Sequence, residues 1–216
     1  YKRQELGRVD ELPPDTLDQA TAWVEKAAAR AVAQERWLPA AGLLDTVLGL
    51  APDTSQDRLA PVLLERARAR AGLRDVDGAT EDLDAVAAAA ANLGDDALLA
   101  RSLVVRGDVA RADGRLSESE DVLRKALDLS RRVGDEQTTV AALRTLGQTL
   151  LFAGDDTAAE ATAGEALAGA RRLGDRRLEA WALQTLAWIA FNRGDLDVAS
   201  ARLTKSADAF SEIGDR

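Results

Sequence analysis

The sequence contains no cysteine and no histidine. The first absence excludes disulfide bonds, thiolate nucleophiles and cysteine-based metal sites, and the second removes the side chain that most often acts as a general base or a metal ligand. The chain also has no glycine-rich phosphate loop of the Walker type. We therefore expect that it is not an enzyme and that it binds no metal and no cofactor.

Aromatic residues are scarce at 4%, and alanine is abundant. A core of alanine and leucine suits closely packed helices better than sheets, whose strands favour β-branched and aromatic residues. The formal net charge of −9 argues against direct nucleic-acid binding, which needs clustered cations. No apolar run approaches the length of a membrane span, so we expect no membrane association, no export signal and a cytoplasmic location.

A Gly-Asp pair preceded by an apolar residue organises the chain. It recurs at a constant spacing and ends at Asp95, Asp135, Asp175 and Asp215. Glycine adopts the left-handed conformation that ends a helix, and aspartate caps the next helix by accepting its free backbone N–H groups. A second break lies midway in each unit, at Arg74-Asp75, Gly114-Arg115, Gly154-Asp155 and Gly194-Asp195.

Two such breaks in each unit predict two helices per unit and ten helices in total. We expect them at residues 15–35, 38–50, 55–73, 76–92, 95–113, 116–132, 135–153, 156–172, 175–193 and 196–212. Residues 1–14 are expected to form a lead-in, 15–213 the repeat domain, and 214–216 the start of a further repeat. Because position 1 is not methionine and the unit restarts at Gly214, we expect the chain to be part of a longer protein.

Small residues recur where the two helices of a unit must cross. They are Ala28, Ala67, Gly107, Gly147 and Ala187 in the first helices, and Ala40, Ala79, Ser119, Ala159 and Ala199 in the second. Large apolar residues follow four positions later in most second helices, which places both on one helical face. A bulky side chain at the small positions is expected to push the helices apart.

This pattern resembles the tetratricopeptide repeat, with the clearest match at Leu143, Leu146, Gly147, Leu150 and Ala159. The resemblance covers residues 15–213 and implies an all-α, right-handed α-solenoid of about five helix-turn-helix repeats whose concave face binds a protein or peptide. The unit is longer than that of the usual tetratricopeptide repeat. This longer form is similar to the repeat arrays of bacterial multidomain ATPase regulators, transcriptional activators and adenylate or guanylate cyclases. The resemblance therefore implies an interaction or scaffold module of a signalling or transcription-regulatory protein.

By analogy with the family, twelve residues of the first helices are expected to contact a partner on the concave face. They are Arg68, Arg101, Asp108, Arg111, Arg144, Gln148, Phe152, Trp181, Gln184, Trp188, Phe191 and Asn192. The four arginines are suited to an acidic segment or a peptide C-terminal carboxylate, because a guanidinium binds a carboxylate through two parallel hydrogen bonds. The alternative is that each arginine pairs with a nearby acidic residue on a solvated surface.

The aromatic residues of this set also have two interpretations. Phe152, Trp181, Trp188 and Phe191 are of types that are favoured at binding hot spots, but they can equally fill the core between repeats. A second hypothesis for the function is a small-molecule sensor that signals to an ATPase or output domain outside this chain. That hypothesis requires a closed pocket near Trp181 and Trp188.

Two further kinds of partner remain open. A domain of the same protein can occupy the concave face as an intramolecular partner. The last predicted helix carries Leu196, Leu203 and Phe210, followed by Ile213, and these apolar residues are expected to allow association between copies of the chain.

Overall fold

The structure is a computed structural model that describes residues 14–50 and 56–213. This part of the chain forms ten α-helices and no strand: α1 (Pro14–Ala33), α2 (Trp37–Leu50), α3 (Gln56–Gly72), α4 (Val76–Leu93), α5 (Asp96–Ala112), α6 (Leu116–Val133), α7 (Glu136–Ala153), α8 (Asp156–Leu173), α9 (Arg176–Asn192) and α10 (Leu196–Glu212). The ten predicted helices are confirmed, and each boundary lies within two residues of its predicted position. The predicted lead-in, apart from Pro14, and the predicted restart at 214–216 lie outside the described residues.

The helices stack in two layers. Each helix packs against the next one in the chain, and further contacts join α1 to α3, α3 to α5, α5 to α7 and α7 to α9. Among the described residues, no Cα atom of one even-numbered helix lies within 8 Å of a Cα atom of another, although an ion pair between Arg131 and Glu165 joins α6 to α8. The odd-numbered helices therefore form a continuous inner layer and the even-numbered helices an outer layer that spreads apart, which is the geometry of a curved solenoid. Each odd–even pair is one repeat, and the repeats are numbered one to five. None of the described helices is long and apolar enough to cross a membrane.

Glycine and aspartate form the junctions that the sequence predicts. Gly94, Gly134 and Gly174 end their helices with φ between 64° and 74°, a region that residues with a Cβ atom rarely adopt. The aspartate side chain then accepts a hydrogen bond from the N–H three residues on, as predicted, at Asp75, Asp95, Asp135, Asp155 and Asp175. Asp195 departs from this rule, because its side chain makes no such bond.

All ten small residues predicted at helix crossings are buried. At Gly107, a Cβ atom would lie 2.5 Å from Cγ of Leu123 on the paired helix. At Gly147, it would lie 3.3 Å from the backbone nitrogen of Ala163. The paired helices therefore touch at these positions, and the closeness of the pair depends on the missing side chain.

Two glycine substitutions separate the crossing contact from helix propensity. We expect Gly107→Ala to lower the free energy of unfolding by about 1–3 kcal/mol, because the new Cβ overlaps the fully buried Leu123. Gly164→Ala in α8 is the control: a Cβ there meets no atom within 4 Å. That substitution should stabilise the fold by about 1 kcal/mol through helix propensity alone. Urea unfolding measures both, and equal effects at the two glycines would contradict a tight crossing at Gly107.

A buried carboxylate links the last two repeats. Glu179 of α9 accepts hydrogen bonds from Arg171 of α8 at 3.0 Å and from Arg176 at 2.6 Å, and Arg176 also bonds Glu212 of α10 at 2.9 Å. Burial by itself raises the pKa of Glu179, but the two guanidinium groups outweigh burial and hold this pKa below its usual value of 4.5. The folded state therefore favours the charged carboxylate.

The lowered pKa of Glu179 gives a pH-dependent contribution to stability. Because the pKa is lower in the folded state, this contribution is present above the pKa of an unfolded glutamate and is lost as the pH falls through the folded pKa. We expect Glu179→Gln to cost about 1 kcal/mol at neutral pH. The cost should shrink as the pH is lowered from about 5 to about 3. Urea unfolding at several pH values tests this, and a cost that stays constant with pH would contradict it.

Candidate binding groove

The inner layer of odd-numbered helices bounds an open groove of about 930 Å³. The groove extends from the α1–α2 turn across α3, α5 and α7 to α9. Residues at one repeat position line it at successive levels, namely Arg68, Asp108, Gln148 and Trp188. The repeat therefore fixes where each side chain lies, and the sequence varies its chemistry from level to level. In the described residues, no group of three or more Asp or Glu residues is arranged to hold a metal ion.

The structure brings ten of the twelve predicted contact residues into the wall of this groove. They are Arg68, Arg101, Asp108, Arg111, Arg144, Gln148, Phe152, Trp181, Gln184 and Trp188. Phe191 and Asn192 do not line it, because they lie in the last turn of α9 and are exposed beside the groove. The ring of Phe191 packs edge to face on Trp188, with 5.7 Å between the ring centroids. That these residues contact a partner stays a prediction.

Two of the four predicted arginines are neutralised within their own helices. Arg68 donates to Glu65 at 2.8 Å, and Arg111 donates to Asp108 at 2.6 Å. Both are ion pairs three residues apart on one helical face. For Arg68 and Arg111, the interpretation as ordinary ion pairs holds.

The other two arginines have no ion pair in the described part of the chain. Arg101 is exposed and donates to the backbone oxygen of Ala97 at 3.3 Å. Arg144 is half-buried and donates to Oε1 of Gln148 at 3.2 Å and to Oγ1 of Thr145 at 2.9 Å. Because these three acceptors are uncharged, neither guanidinium group has a negative charge in direct contact with it. We call Arg144, Thr145 and Gln148 the Arg144 subsite.

The charge of Arg144 is only partly balanced by its surroundings. Burial lowers the pKa of its guanidinium; Asp108 and Glu35 oppose this effect, while the nearby positive charge of Arg111 adds to it. Arginine stays protonated at neutral pH, so the protein cannot avoid the cost of burial by losing the proton. The Arg144 subsite is therefore a cation inside the groove that favours an additional negative charge.

The groove aromatics divide between core packing and exposure. Trp181 is half-buried, and its ring packs edge to face on Phe210 of α10, with 5.3 Å between centroids. Trp188 and Phe152 are 53% and 64% exposed, and the guanidinium of Arg111 lies 5.8 Å from the Phe152 ring centroid. Trp181 therefore contributes largely to packing between α9 and α10. Trp188 and Phe152 instead present apolar surface to solvent in the groove.

Several groove residues lie in turns or outside the predicted set. Glu35 and Arg74 line the groove from the turns inside repeats one and two, with φ of 53° and 65°. Later repeats place a glycine at the corresponding position, as at Gly114. A side chain costs about 1 kcal/mol in this backbone region. A charged residue at a position where other repeats have glycine is therefore the sequence feature that points to these two groove residues. The groove wall also contains Trp37, Gln137 and Arg177.

The last helix leaves apolar side chains exposed. Leu196 is 61% exposed, Leu203 46% and Ile213 39%, whereas Phe210 packs on Trp181. The predicted association between copies of the chain through this helix stays a prediction.

Replacement of Arg144 by an apolar side chain tests how much this arginine lowers the free energy of unfolding. We expect Arg144→Met to raise the free energy of unfolding by about 1 kcal/mol, because a half-buried charge without a carboxylate partner is removed. Arg111→Met is the matched comparison and should destabilise, because it breaks the ion pair with Asp108 and the contact with Phe152. Thermal unfolding measures both variants. A loss of stability in Arg144→Met as large as in Arg111→Met would mean that Arg144 is a structural residue.

Comparison with known families gives a match to the tetratricopeptide repeat. The family model matches residues 98–172 and, overlapping them, residues 138–212, which together are more than half of the chain. Comparison with curated proteins finds no match.

Solved structures of three proteins share the arrangement. A Rap protein complexed with competence and sporulation factor superposes with a TM-score of 0.83 at 13% identity, over 90% of this chain and 55% of that one. Aspartyl phosphate phosphatase F from Bacillus subtilis has a TM-score of 0.70 at 11% identity, over 96% of this chain and 58% of that one. A signal transduction ATPase with numerous domains from Pyrococcus horikoshii, described as having a tetratricopeptide repeat sensor, has a TM-score of 0.69 at 19% identity, over 89% of this chain and 30% of that one. At these identities the likeness concerns the fold, and the chain spans only about half or less of each of these proteins.

Proposed function

Because the chain belongs to the tetratricopeptide repeat family, we propose that it binds a protein or peptide in the groove along α3, α5, α7 and α9, through an extended segment that carries a carboxylate. The observation that carries this proposal is Arg144, a half-buried groove cation with no ion pair in the described residues. A carboxylate of the partner, from an acidic side chain or a C-terminus, supplies the missing counter-charge. A guanidinium and a carboxylate form short, charge-assisted hydrogen bonds, which are about twice as strong as neutral ones.

The remaining chemistry of the groove suits a peptide. Gln137, Gln148 and Gln184 lie along the wall, and each side-chain amide both donates and accepts, as a peptide backbone requires. Trp188 and Phe152 offer apolar surface of the kind that anchors partner side chains.

The shape of the groove also favours an extended ligand. A small-molecule sensor requires a closed pocket near Trp181 and Trp188, whereas these residues line one end of a long groove that spans all five repeats.

The wider role that we propose is that of an interaction module in a bacterial signalling or transcription-regulatory protein that acts in the cytoplasm. Two of the similar structures support the signalling part of this role by their descriptions: the Rap protein is in complex with competence and sporulation factor, and the Pyrococcus signal transduction ATPase has a tetratricopeptide repeat sensor.

A synthetic peptide array tests the proposed ligand class. Random seven-residue peptides are presented with either a free C-terminal carboxylate or a C-terminal amide, and the fluorescently labelled protein is added. We expect the bound peptides to carry at least one carboxylate. Replacement of that group by an amide should weaken binding about tenfold, which corresponds to the loss of one charge-assisted contact of about 1.4 kcal/mol.

Two variants locate the binding on the protein. Arg144→Gln should lose the preference for carboxylates, whereas Arg124→Gln, an exposed arginine of α6 outside the groove, should keep it. Retention of the same acidic peptides by Arg144→Gln would place the binding elsewhere, and selection of neutral peptides by the wild type would contradict the proposed ligand class.

A further inference from the structure

One ion pair crosses the groove. Oε1 of Glu35, in the turn between α1 and α2, accepts a hydrogen bond from Nη1 of Arg177 in α9 at 3.3 Å, although the two residues are 142 positions apart. In a solenoid each repeat contacts only its neighbours. In the described residues, no Cα atom of α1 or α2 lies within 8 Å of a Cα atom of α9. The Glu35–Arg177 pair therefore joins repeat one to repeat five across the open side of the groove.

Glu35 occupies a position where the repeat favours glycine. Its φ of 53° lies in the left-handed region, and the corresponding turns of repeats three to five contain Gly114, Gly154 and Gly194. A glycine here would relieve backbone strain, but it would remove the carboxylate from the groove. In repeat two, Arg74 takes the same conformation, so this turn accepts a charged side chain in place of glycine, and in repeat one the side chain is a carboxylate that lines the groove.

The same carboxylate acts on the Arg144 subsite. Glu35 lines the groove that contains Arg144, and its charge opposes the lowering of the Arg144 pKa that burial causes. Asp108 acts in the same direction, but it already bonds Arg111 at 2.6 Å. Glu35 is thus an acidic group of the protein placed among the arginines that a ligand carboxylate would use.

We propose that Glu35 is a built-in competitor of the ligand, which occupies the basic groove in the free protein, ties repeat one to repeat five, and is displaced when a ligand carboxylate enters. This inference rests on the proposed function, because it needs an anionic ligand at the Arg144 subsite. The side chains of Arg177 and Glu35 are 29% and 38% exposed, and ion pairs at such positions are weak, as an exchangeable contact requires. When the ligand displaces Glu35, the first repeat is no longer tied to the fifth. The first repeat then moves away from the fifth, and the groove widens.

The distance between the first and the fifth repeat tests the tie directly. The chain has no cysteine, so Gln34→Cys and Ser211→Cys, both at exposed positions, can be spin-labelled without other changes. Pulsed electron paramagnetic resonance should give a narrow distance distribution in the wild-type background. Glu35→Gln and Glu35→Gly should both give a longer and broader one. Glu25→Gln, an exposed glutamate of α1 outside the groove, is the matched control and should change nothing.

Competition is tested with glutarate, a dicarboxylate, and with glutaramide, its uncharged analogue. Binding is followed by tryptophan fluorescence, since Trp37, Trp181 and Trp188 all line the groove. We expect Glu35→Gln to bind glutarate about fivefold more tightly than the wild type, a factor set by the loss of a weak competing ion pair. Saturating glutarate should also lengthen the Gln34–Ser211 label distance in the wild type, whereas glutaramide and sodium chloride of equal ionic strength should do so less or not at all.

The outcomes separate the two proposals. If Arg144→Gln weakens glutarate binding but Glu35→Gln does not strengthen it, the anion site stands and the competitor is refuted. If Arg144→Gln has no effect on glutarate binding, the proposed function itself fails. An unchanged label distance in both Glu35→Gln and Glu35→Gly overturns the inference whatever the binding result, and the glycine variant, which relieves the backbone, excludes misfolding as the cause of a change.

Discussion

The close crossing of paired helices at small residues is the constraint on which the structure depends. Gly107 meets Leu123 and Gly147 meets Ala163 at close range. This close approach restricts the distance and the crossing angle between the two helices of the pair. Gly-Asp junctions restart the chain at equal intervals, so the same pair is copied with nearly the same geometry. A stack of equal pairs brings the odd-numbered helices together and leaves the even-numbered helices apart, and this difference produces the groove.

The repeat also explains how an acidic protein can present a cation for the carboxylate that we propose as its ligand. The groove wall contains six arginines and five acidic residues, although the chain as a whole has a net charge of −9. Most of these charged groups already have partners within the protein. Arg68 and Arg111 form ion pairs within their own helices, and Asp135 and Asp175 cap the helices that follow them. The half-buried Arg144 is a groove cation that is left without an ion pair in the part of the chain that the structure describes. We expect Arg144 to lower the stability of the fold, whereas a purely structural residue would raise it, and a residue that costs stability is often a functional one.

The fold was predictable from the sequence because its information is local and repeated. Each Gly-Asp pair acts on the two helices beside it, and the constant spacing of these pairs located the helix boundaries to within two residues. The analogy with the tetratricopeptide repeat predicts twelve contact residues, and ten of these line the groove. Phe191 and Asn192 lie where α9 ends and do not line the groove. The sequence does not show that Arg68 is paired and Arg144 is not, because pairing depends on side-chain conformations. The Glu35–Arg177 contact could not be predicted from spacing, since it depends on how curvature accumulates over five repeats.

The most direct test of this account follows the arginine side chains themselves. Protein labelled with ¹⁵N in arginine gives one Nε–Hε signal for each ordered guanidinium, and the signal of Arg144 is assigned by its absence from Arg144→Lys. On saturation with an acidic peptide selected from the array, we expect the Arg144 signal to move strongly, while the signals of Arg68 and Arg111 stay near their positions because their ion pairs persist. An Arg144 signal that does not move while the peptide is fully bound would contradict the central claim that this cation receives the carboxylate of the partner.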